Sequence, residues 1–315
     1  MKMQKESIKQ NLLKFNTYRR VIQFLSFIFF SVAIFNLDKL PILLPVLWTW
    51  GLKQNIVGDA FTAIQLTLSG WNGFDISFPW LAIAAFLITG ILIGKSLCGW
   101  ICPFGFIQDL VSFIKRKKME ISPRTHKSGI YIKYAVLGLA LFISLTFSAS
   151  KLMKIQRSYE AAMGIFAYAP FTAVSPAETL FATLPQMIHD FAMALYEKSF
   201  LEAASGIFGL PLLFWVQLFI LGAVLVFAAY VPRGWCKYFC PHGAIMAILN
   251  RFSFLGLRRE LVKCAKGECR RCEEACPMRV PILDLPWEKF SDPECIYCLK
   301  CADACENKAI KLKYP

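Results

Sequence analysis

Twelve cysteines give this 315-residue chain its candidate chemistry, and eight of them lie after position 263. In order, these eight are Cys264, Cys269, Cys272, Cys276, Cys295, Cys298, Cys301 and Cys305. Cysteines two residues apart can place three thiolates on one iron–sulfur cube, and a fourth cysteine three residues further on reaches the other cube. The spacing therefore predicts two [4Fe–4S] clusters, the first bound by Cys264, Cys269, Cys272 and Cys305, the second by Cys295, Cys298, Cys301 and Cys276.

Two features of this tail depart from the usual pattern. Four residues separate Cys264 from Cys269 where two are usual, and Glu306 stands where a proline often follows the last cysteine. Neither departure removes a thiolate. Paired C-x2-C motifs also bind zinc, but the three-plus-one spacing and the Cys276-Pro277 pair favour iron–sulfur clusters. Structural disulfides are not expected in a cytoplasmic tail.

The other four cysteines form two similar motifs. Residues 97–107 read LCGWICPFGFI and residues 235–245 read WCKYFCPHGAI, so that Cys98 and Cys102 match Cys236 and Cys240. We expect the i, i+4 spacing to place both sulfurs of a motif on one helical face, and the proline that follows to end that helix. Four convergent thiolates would suit a third iron–sulfur cluster. The alternatives are redox-active dithiol pairs, or small buried cysteines without chemistry.

Long apolar segments indicate a membrane domain around these motifs. With 57% hydrophobic residues, the chain is too apolar for an ordinary soluble domain. Segments 21–37, 80–97, 130–149 and 207–231 each approach the ~20 apolar residues that a spanning helix needs. Each motif follows a helix that runs from outside to inside, which predicts two parallel two-helix halves related by an axis along the membrane normal.

The predicted fold is therefore an all-α polytopic membrane domain with four spans and a two-fold internal repeat, followed by a small α+β ferredoxin domain of the bacterial 2[4Fe–4S] type. The predicted boundaries are a basic cytoplasmic N-terminus at 1–20, the membrane domain at 21–260 and the ferredoxin domain at 261–315. The stretch 177–195 is expected to form an amphipathic helix on the outer face.

The distribution of charge sets the predicted topology. The outer loops, 38–79 and 150–206, contain 6 of the 35 Lys and Arg residues and 8 of the 21 acidic residues, so the basic excess lies on the other side. By the positive-inside rule, both termini are cytoplasmic, as in a multi-pass protein of a bacterial inner membrane. We expect Lys133 to extend from its span to the cytoplasmic surface. Because the basic residues flank spans and no aromatic-interleaved groove is visible, no nucleic-acid partner is expected.

The histidines limit the other cofactors. The chain has only His126, His189 and His242, none of them inside a predicted span, so membrane haem is not expected. A quinol site would need a proton acceptor near the edge of the bilayer. His189 beside Asp190 is a candidate, although a solvated helix face explains this pair as well. His242 could hydrogen-bond a cluster sulfur.

The motifs CGWICPFG and CKYFCPHG on a four-span domain, followed by the two-cluster tail, resemble the NapH-like membrane ferredoxins, a group related to the membrane parts of NosR and RdxA/CcoG. The resemblance covers residues 20–36, 80–120 and 207–310 and is specific at the twelve cysteines. It implies a membrane-bound relay that carries electrons between the quinol pool or a cytoplasmic donor and a periplasmic or membrane redox partner, as a subunit of a quinol dehydrogenase.

Two other functions fit the same residues. A cytoplasmic-face metal-ion reductase, for example of copper, would bind its metal at Cys98, Cys102, Cys236 and Cys240. A redox sensor or assembly factor would switch these pairs between thiol and disulfide. Counting iron separates these functions from the relay, because only the relay needs a cluster at these four cysteines.

Overall fold

The computed structural model of the chain describes residues 15–31, 80–115, 119, 121–167, 171, 174–197, 211–264 and 269–314. Within this part the helices are, in chain order, α1 (Phe15–Ser31), α2 (Trp80–Ile93), α3 (Ser96–Trp100), α4 (Pro103–Val111), α5 (Pro123–Leu152), α6 (Gln156–Met163), α7 (Pro176–Glu178), α8 (Leu184–Glu197), α9 (Leu212–Tyr230), α10 (Gly234–Tyr238), α11 (Pro241–Asn250), α12 (Arg271–Glu274) and α13 (Lys300–Asp303). The strands are β1 (Gly256–Arg259) and β2 (Ile310–Lys313), and short 3₁₀ and π turns lie at Gly164–Ala167 and Thr179–Thr183.

Two of these helices are long and apolar enough to cross a bilayer. They are Pro123–Phe147 within α5, with a mean hydropathy of 1.9, and Leu212–Tyr230, with a mean hydropathy of 2.5. Only 28% of each apolar window is buried within the chain, so most of this apolar surface faces outward, as it would toward lipid. They coincide with the predicted spans at 130–149 and 207–231.

The other two predicted spans are helical where the structure describes them, with bounds that differ from the prediction. Helix α1 begins at Phe15, six residues before the predicted start at 21, and residues 32–37 lie outside the described part. Helix α2 ends at Ile93 and not at 97, so the prediction of a continuous helix through 97 is wrong. The cause is Gly94, whose φ of +56° lies in the left-handed region, and a Cβ at this position would lie 2.0 Å from Asn250 Oδ1.

The predicted outer loop at 38–79 lies outside the described residues. In the other outer loop, α7, the π turn and α8 form one helical run, which agrees with the amphipathic helix predicted at 177–195. This run packs against α9, and the ring of Phe181 lies 6.1 Å from the ring of Phe27 in α1. His189 and Asp190 form an ion pair of 3.5 Å on α8 and are about 70% exposed, as in a solvated helix face.

The same succession of elements occurs twice in the chain. In each case a long helix (α2 or α9) is followed by a five-residue helix (α3 or α10) and then by a helix of nine or ten residues (α4 or α11). The two sets pack against each other: α4 packs on α9, and α11 packs on α2. Helix α1 covers α4, and α5 covers α11 and α10.

The C-terminal tail contains a two-stranded antiparallel sheet and two single-turn helices. Strand β1 pairs with β2 from Gly256↔Lys313 to Arg259↔Ile310, so the sheet includes residues before the predicted boundary at 261. The tail shares a hydrophobic core with the helices that follow α9, because Met246 of α11 is fully buried in the same cluster as Ile296. Tail and helices therefore meet at a packed interface.

Candidate cluster-binding sites

The four cysteines predicted to bind the second cluster line one pocket. Cys276, Cys295, Cys298 and Cys301, called tail site 2 below, line a pocket whose other lining residues are mainly apolar, including Leu257. The donor set is four thiols without a competing carboxylate or imidazole among the lining residues. This is the ligand set and the dry surrounding that a [4Fe–4S] cluster requires.

The loop that carries three of these cysteines has an unusual backbone. Tyr297 and Leu299 both adopt a positive φ, 47° and 57°, which is uncommon for residues other than glycine. Tyr297 is held there by a hydrogen bond from its hydroxyl to the Leu255 carbonyl at 2.8 Å. Strained backbone of this kind is typical of loops that wrap a ligand.

The other tail set, Cys264, Cys269, Cys272 and Cys305, is called tail site 1. Cys272 is buried, which raises the pKa of its thiol, and Cys264 contributes to the same shift. Cys269, in contrast, is exposed. Residues 265–268, between the first two cysteines, lie outside the described part. The two halves of the tail share one hydrogen-bond pattern. Cys276 Sγ accepts the Val280 N–H at 3.4 Å, and Cys305 Sγ accepts the Ala309 N–H at 3.3 Å.

The cysteines of the two C-x3-C-P motifs, Cys98, Cys102, Cys236 and Cys240, are called the paired-motif site. All four are buried, with at most 9% of each residue exposed. Burial, partly offset by Lys95 and assisted by the neighbouring Cys236, raises the pKa of the Cys98 thiol to about 11. The pKa of Cys240 is also raised, first by burial and then by Cys236, Cys98 and Cys102. The other three thiols are therefore near enough to act electrostatically on Cys240, and a single site shared by all four stays a prediction.

The local geometry of these motifs differs from the prediction of one helical face. Helix α3 ends at Trp100, and Cys102 is the N-cap of the next helix, with Pro103 as its first residue. Cys102 Sγ accepts the Gly105 N–H at 3.4 Å, and in the second motif Cys240 Sγ accepts the Gly243 N–H at 3.3 Å. Each proline therefore begins a helix and does not end one, because its missing N–H costs nothing at the first helical position. The helix N-terminus in turn favours a thiolate.

Gln108 is a site residue that the sequence analysis missed. It is fully buried on α4, and its side-chain amide donates a hydrogen bond to Cys236 Sγ at 3.1 Å. It therefore connects the first half of the repeat to a cysteine of the second half. A buried glutamine in an amphipathic stretch directly after C-x3-C-P is the signal that could have identified it.

An excess of buried positive charge favours the ionised form of the thiols. Among the described residues, six buried Lys or Arg side chains oppose three buried carboxylates; the cations are Arg19, Lys95, Lys133, Arg233, Lys237 and Arg259, and the anions are Asp109, Glu178 and Glu294. An uncompensated buried charge is costly. Lys95 and Arg233 each stand three residues before the first cysteine of a motif. Thiolate-bound clusters would supply the missing negative charge, whereas neutral thiols or disulfides would not.

Asp109 organises the first motif. Arg233 donates to both of its carboxylate oxygens, at 3.1 and 2.8 Å, and Arg19 of α1 donates to one of them at 2.9 Å. Burial acts to raise the pKa of Asp109, but the two guanidinium groups hold this pKa well below its usual value. Arg233 also donates to the Cys98 carbonyl at 2.6 Å, and Arg19 to the Gly99 carbonyl at 3.4 Å. The backbone around Cys98 is therefore fixed by charged groups.

The tail packs directly on the first motif. The Trp100 indole N–H donates to the Tyr297 carbonyl at 2.9 Å. A Cβ on Gly99 would lie only 2.2 Å from the Ile296 carbonyl oxygen. Since Gly99 follows Cys98 and Ile296 follows Cys295, the backbones of the paired-motif site and of tail site 2 are in contact.

This contact yields a first prediction. Gly99→Ala should weaken the packing of the tail and destabilise the protein by roughly 1–3 kcal/mol, because the added methyl group meets backbone that cannot rotate away. Thermal unfolding in detergent measures the loss. Gly138→Ala in α5 is the matched control, since nothing lies within 4 Å of its added Cβ. If the two variants are equally stable, the close approach at Gly99 is wrong.

The positions of the thiols also bear on zinc. Within the described ranges, no three His, Cys, Asp or Glu side chains lie close enough together to hold one metal ion. A zinc site draws its thiolates to about 2.3 Å from a single ion, whereas a cubane cluster binds each cysteine at a different iron.

Comparison with known proteins shows which proteins this chain is similar to. A model described as a 4Fe–4S binding domain matches residues 75–120 and 213–260, so that each match contains one C-x3-C-P motif. NapH of Haemophilus influenzae, named a ferredoxin-type protein, is 24% identical over 87% of this chain and 76% of its own length. The chain is therefore similar to the NapH-like membrane ferredoxin-type proteins. These similarities support an iron–sulfur electron-transfer role, and the two candidate membrane helices agree with a membrane protein.

Other relatives of this NapH-like chain extend the comparison. An uncharacterised protein of Methanocaldococcus jannaschii is 25% identical over 74% of this chain and 77% of its own length. YccM of Escherichia coli, named as a candidate electron transport protein, is 23% identical over 71% of this chain, which spans about half of YccM (52%). No solved structure matches the chain.

Proposed function

We propose that the chain is a three-cluster relay that carries electrons between its cytoplasmic tail and the membrane. Tail site 1 and tail site 2 would each hold one [4Fe–4S] cluster, and the paired-motif site would hold a third iron–sulfur cluster. Bound clusters supply one-electron transfer. The protein's own part is to hold the thiolates, to exclude water and to compensate charge.

The excess of buried cations around the paired-motif site is the observation that carries this proposal. Lys95 and Arg233 lie in the turns that lead into the two motifs, and both are completely buried. Within the part of the chain that the structure describes, Lys95 is paired with the buried carboxylate of Glu294 and Arg233 with that of Asp109. A cluster with four thiolates would compensate the remaining charge, whereas a disulfide would leave it uncompensated.

The contact between the first motif and the tail supports the order of the relay. Gly99 and Trp100 touch the loop of tail site 2, and Cys269 of tail site 1 is exposed. In the order that follows, tail site 1 exchanges electrons with a soluble partner, tail site 2 lies in the middle, and the paired-motif site lies nearest the bilayer.

The proposed membrane domain at 21–260 has four spans, two-fold internal symmetry and both termini in the cytoplasm, and the ferredoxin domain occupies 261–315. The double match of one family model and the repeated succession of α2–α3–α4 and α9–α10–α11 support this arrangement. We further propose that the paired-motif site exchanges electrons with quinol or with a membrane or periplasmic redox partner. Reduction of the clusters by a menaquinol analogue tests the quinol step.

Iron content tests the proposal. Protein purified without oxygen should contain about twelve irons per chain, and a Cys98→Ser/Cys236→Ser variant about eight, because one [4Fe–4S] cluster is lost. Iron and sulfide analysis, with paramagnetic resonance of the reduced protein, measures both. A count of about eight in both samples would rule out the third cluster and favour the thiol sensor or the metal-ion reductase.

A further inference from the structure

The hydrogen bond from Gln108 to Cys236 joins the two halves of the repeat at a sulfur atom. The amide Nε2 lies 3.1 Å from Cys236 Sγ, the glutamine is fully buried and the cysteine is 9% exposed. A thiolate bound to a cluster has lone pairs but no proton, so only the NH₂ end of the amide can bond to it. This contact therefore fits Cys236 as a cluster ligand.

The other end of the Gln108 side chain adds a second observation. Its Oε1 atom has no hydrogen-bond partner within the part of the chain that the structure describes. Burying an amide is costly unless it forms hydrogen bonds, so the bond to Cys236 is the compensation that the described residues give this amide. A bond to an ionised sulfur is stronger than one to a neutral thiol, and a thiolate therefore explains the buried glutamine better.

The two halves of the repeat differ at this position. Gln108 and Met246 are equivalent, since each stands six residues after the second cysteine of its motif. Met246 is fully buried in the same hydrophobic cluster as Cys98, which is the counterpart of Cys236. A thioether has no N–H or O–H, so Met246 cannot give Cys98 the bond that Gln108 gives Cys236. The amide donor is therefore an addition to one half and not a requirement of the C-x3-C-P motif.

We propose that Gln108 is a positioning residue whose hydrogen bond to Cys236 Sγ raises the reduction potential of the paired-motif cluster. This inference rests on the proposed cluster at that site. Reduction adds an electron that makes the ligand sulfurs more negative, so a hydrogen bond to one of them is stronger in the reduced state. The gain is largest where water does not compete for the same sulfur, as at a buried cysteine.

Redox titration followed by paramagnetic resonance tests this role. The transition that is absent from the Cys98→Ser/Cys236→Ser variant identifies the paired-motif cluster. Gln108→Met removes the donor with little change in side-chain volume and introduces the residue that the second half has at this position. It should lower the reduction equilibrium constant of this cluster about tenfold, which is ~59 mV for one electron, and leave the potentials of the two tail clusters unchanged.

Gln23→Met is the matched control. Gln23 of α1 is also fully buried, and its amide donates to two oxygen acceptors, the Gly99 carbonyl at 2.9 Å and the Asp109 carboxylate at 3.4 Å. The same chemical group is lost from a buried position, so the cost in stability should be similar, but the potential of the paired-motif cluster should move much less. Equal shifts of this potential in the two variants, or no shift in Q108M, would overturn the proposed role.

A measurement on the wild-type protein decides the question if Q108M does not retain iron at this site. With an isotopic label on the glutamine side-chain nitrogens, the reduced paired-motif cluster should show a nitrogen coupling in pulsed paramagnetic resonance, and Q23M should keep it. Absence of this coupling would overturn the hydrogen bond from Gln108. A wild-type count of about eight irons would instead reject the third cluster itself, whereas about twelve irons without the coupling reject only the role of Gln108.

Discussion

Asp109→Asn is expected to destabilise the folded protein by about 3–5 kcal/mol, the range measured when one partner of a buried ion pair is removed. The change leaves Arg19 and Arg233 fully buried without their carboxylate. Both guanidinium groups also hold carbonyls of the first motif, at Cys98 and Gly99. We therefore expect the iron content of D109N to fall as well, by the amount of iron that the paired-motif site holds.

A surface aspartate provides the control for this variant. Asp190→Asn makes the same chemical change at a side chain that is 69% exposed, and surface ion pairs contribute at most about 1 kcal/mol. Unfolding temperature and iron per chain are measured for both variants. If D109N matches D190N in both quantities, Asp109 does not hold the first motif in place.

A double variant separates charge from packing. Arg233→Met alone leaves Asp109 with Arg19, and the double variant D109N/R233M removes one anion and one cation together. Residues in one buried network are not additive. The double variant should therefore lose less stability than the sum of the two single variants, and simple additivity would contradict the charge argument.

The predicted cysteine sets rest on local information. Spacings of two to four residues decide which thiolates reach one cluster, and this is independent of the rest of the fold. The same local reasoning was wrong about Pro103 and Pro241. A proline can end one helix or begin the next, and the N-cap at Cys102, whose Sγ accepts the Gly105 N–H, shows that it begins one here.

The partners of the buried charges could not be predicted, because they are distant in sequence. Asp109 and Arg233 are 124 residues apart, and Glu294 lies 161 residues from Lys133. The expectation that Lys133 extends to the surface was wrong, since it is fully buried and paired with Glu294. A lysine near the end of a span satisfies its charge equally well at the surface or with a carboxylate from another domain, and only the docked tail decides between them.

The carboxylate of Glu294 is also the site of the second large effect that we expect on stability. Glu294→Gln should destabilise the contact between tail and membrane helices by about 3–5 kcal/mol. One oxygen of Glu294 accepts from Lys95 at 3.0 Å and the other from Lys133 of α5. Without the carboxylate, two buried ammonium groups face each other, and the loop that begins at Cys295 loses its anchor.

The expected result is a tail that separates from the helices while its own clusters remain. Proteolysis of the full-length protein in detergent should cleave E294Q faster near 251–264, with iron in the two tail sites retained before cleavage. Glu288→Gln is the control, because Glu288 is exposed on the same tail.

A second arm of this experiment tests whether the charge itself holds the tail. Lys133→Met combined with E294Q removes one of the two lysines, so the double variant should be cleaved more slowly than E294Q alone. If E294Q and E288Q are cleaved at the same rate, the ion triad does not hold the tail. Asn250 then becomes the main connection, since it accepts the Lys95 N–H at 3.1 Å and donates to the Cys295 carbonyl at 3.1 Å. In either case the residues that join the proposed cluster sites are polar, buried and distant in sequence, and they place tail site 2 against the first motif.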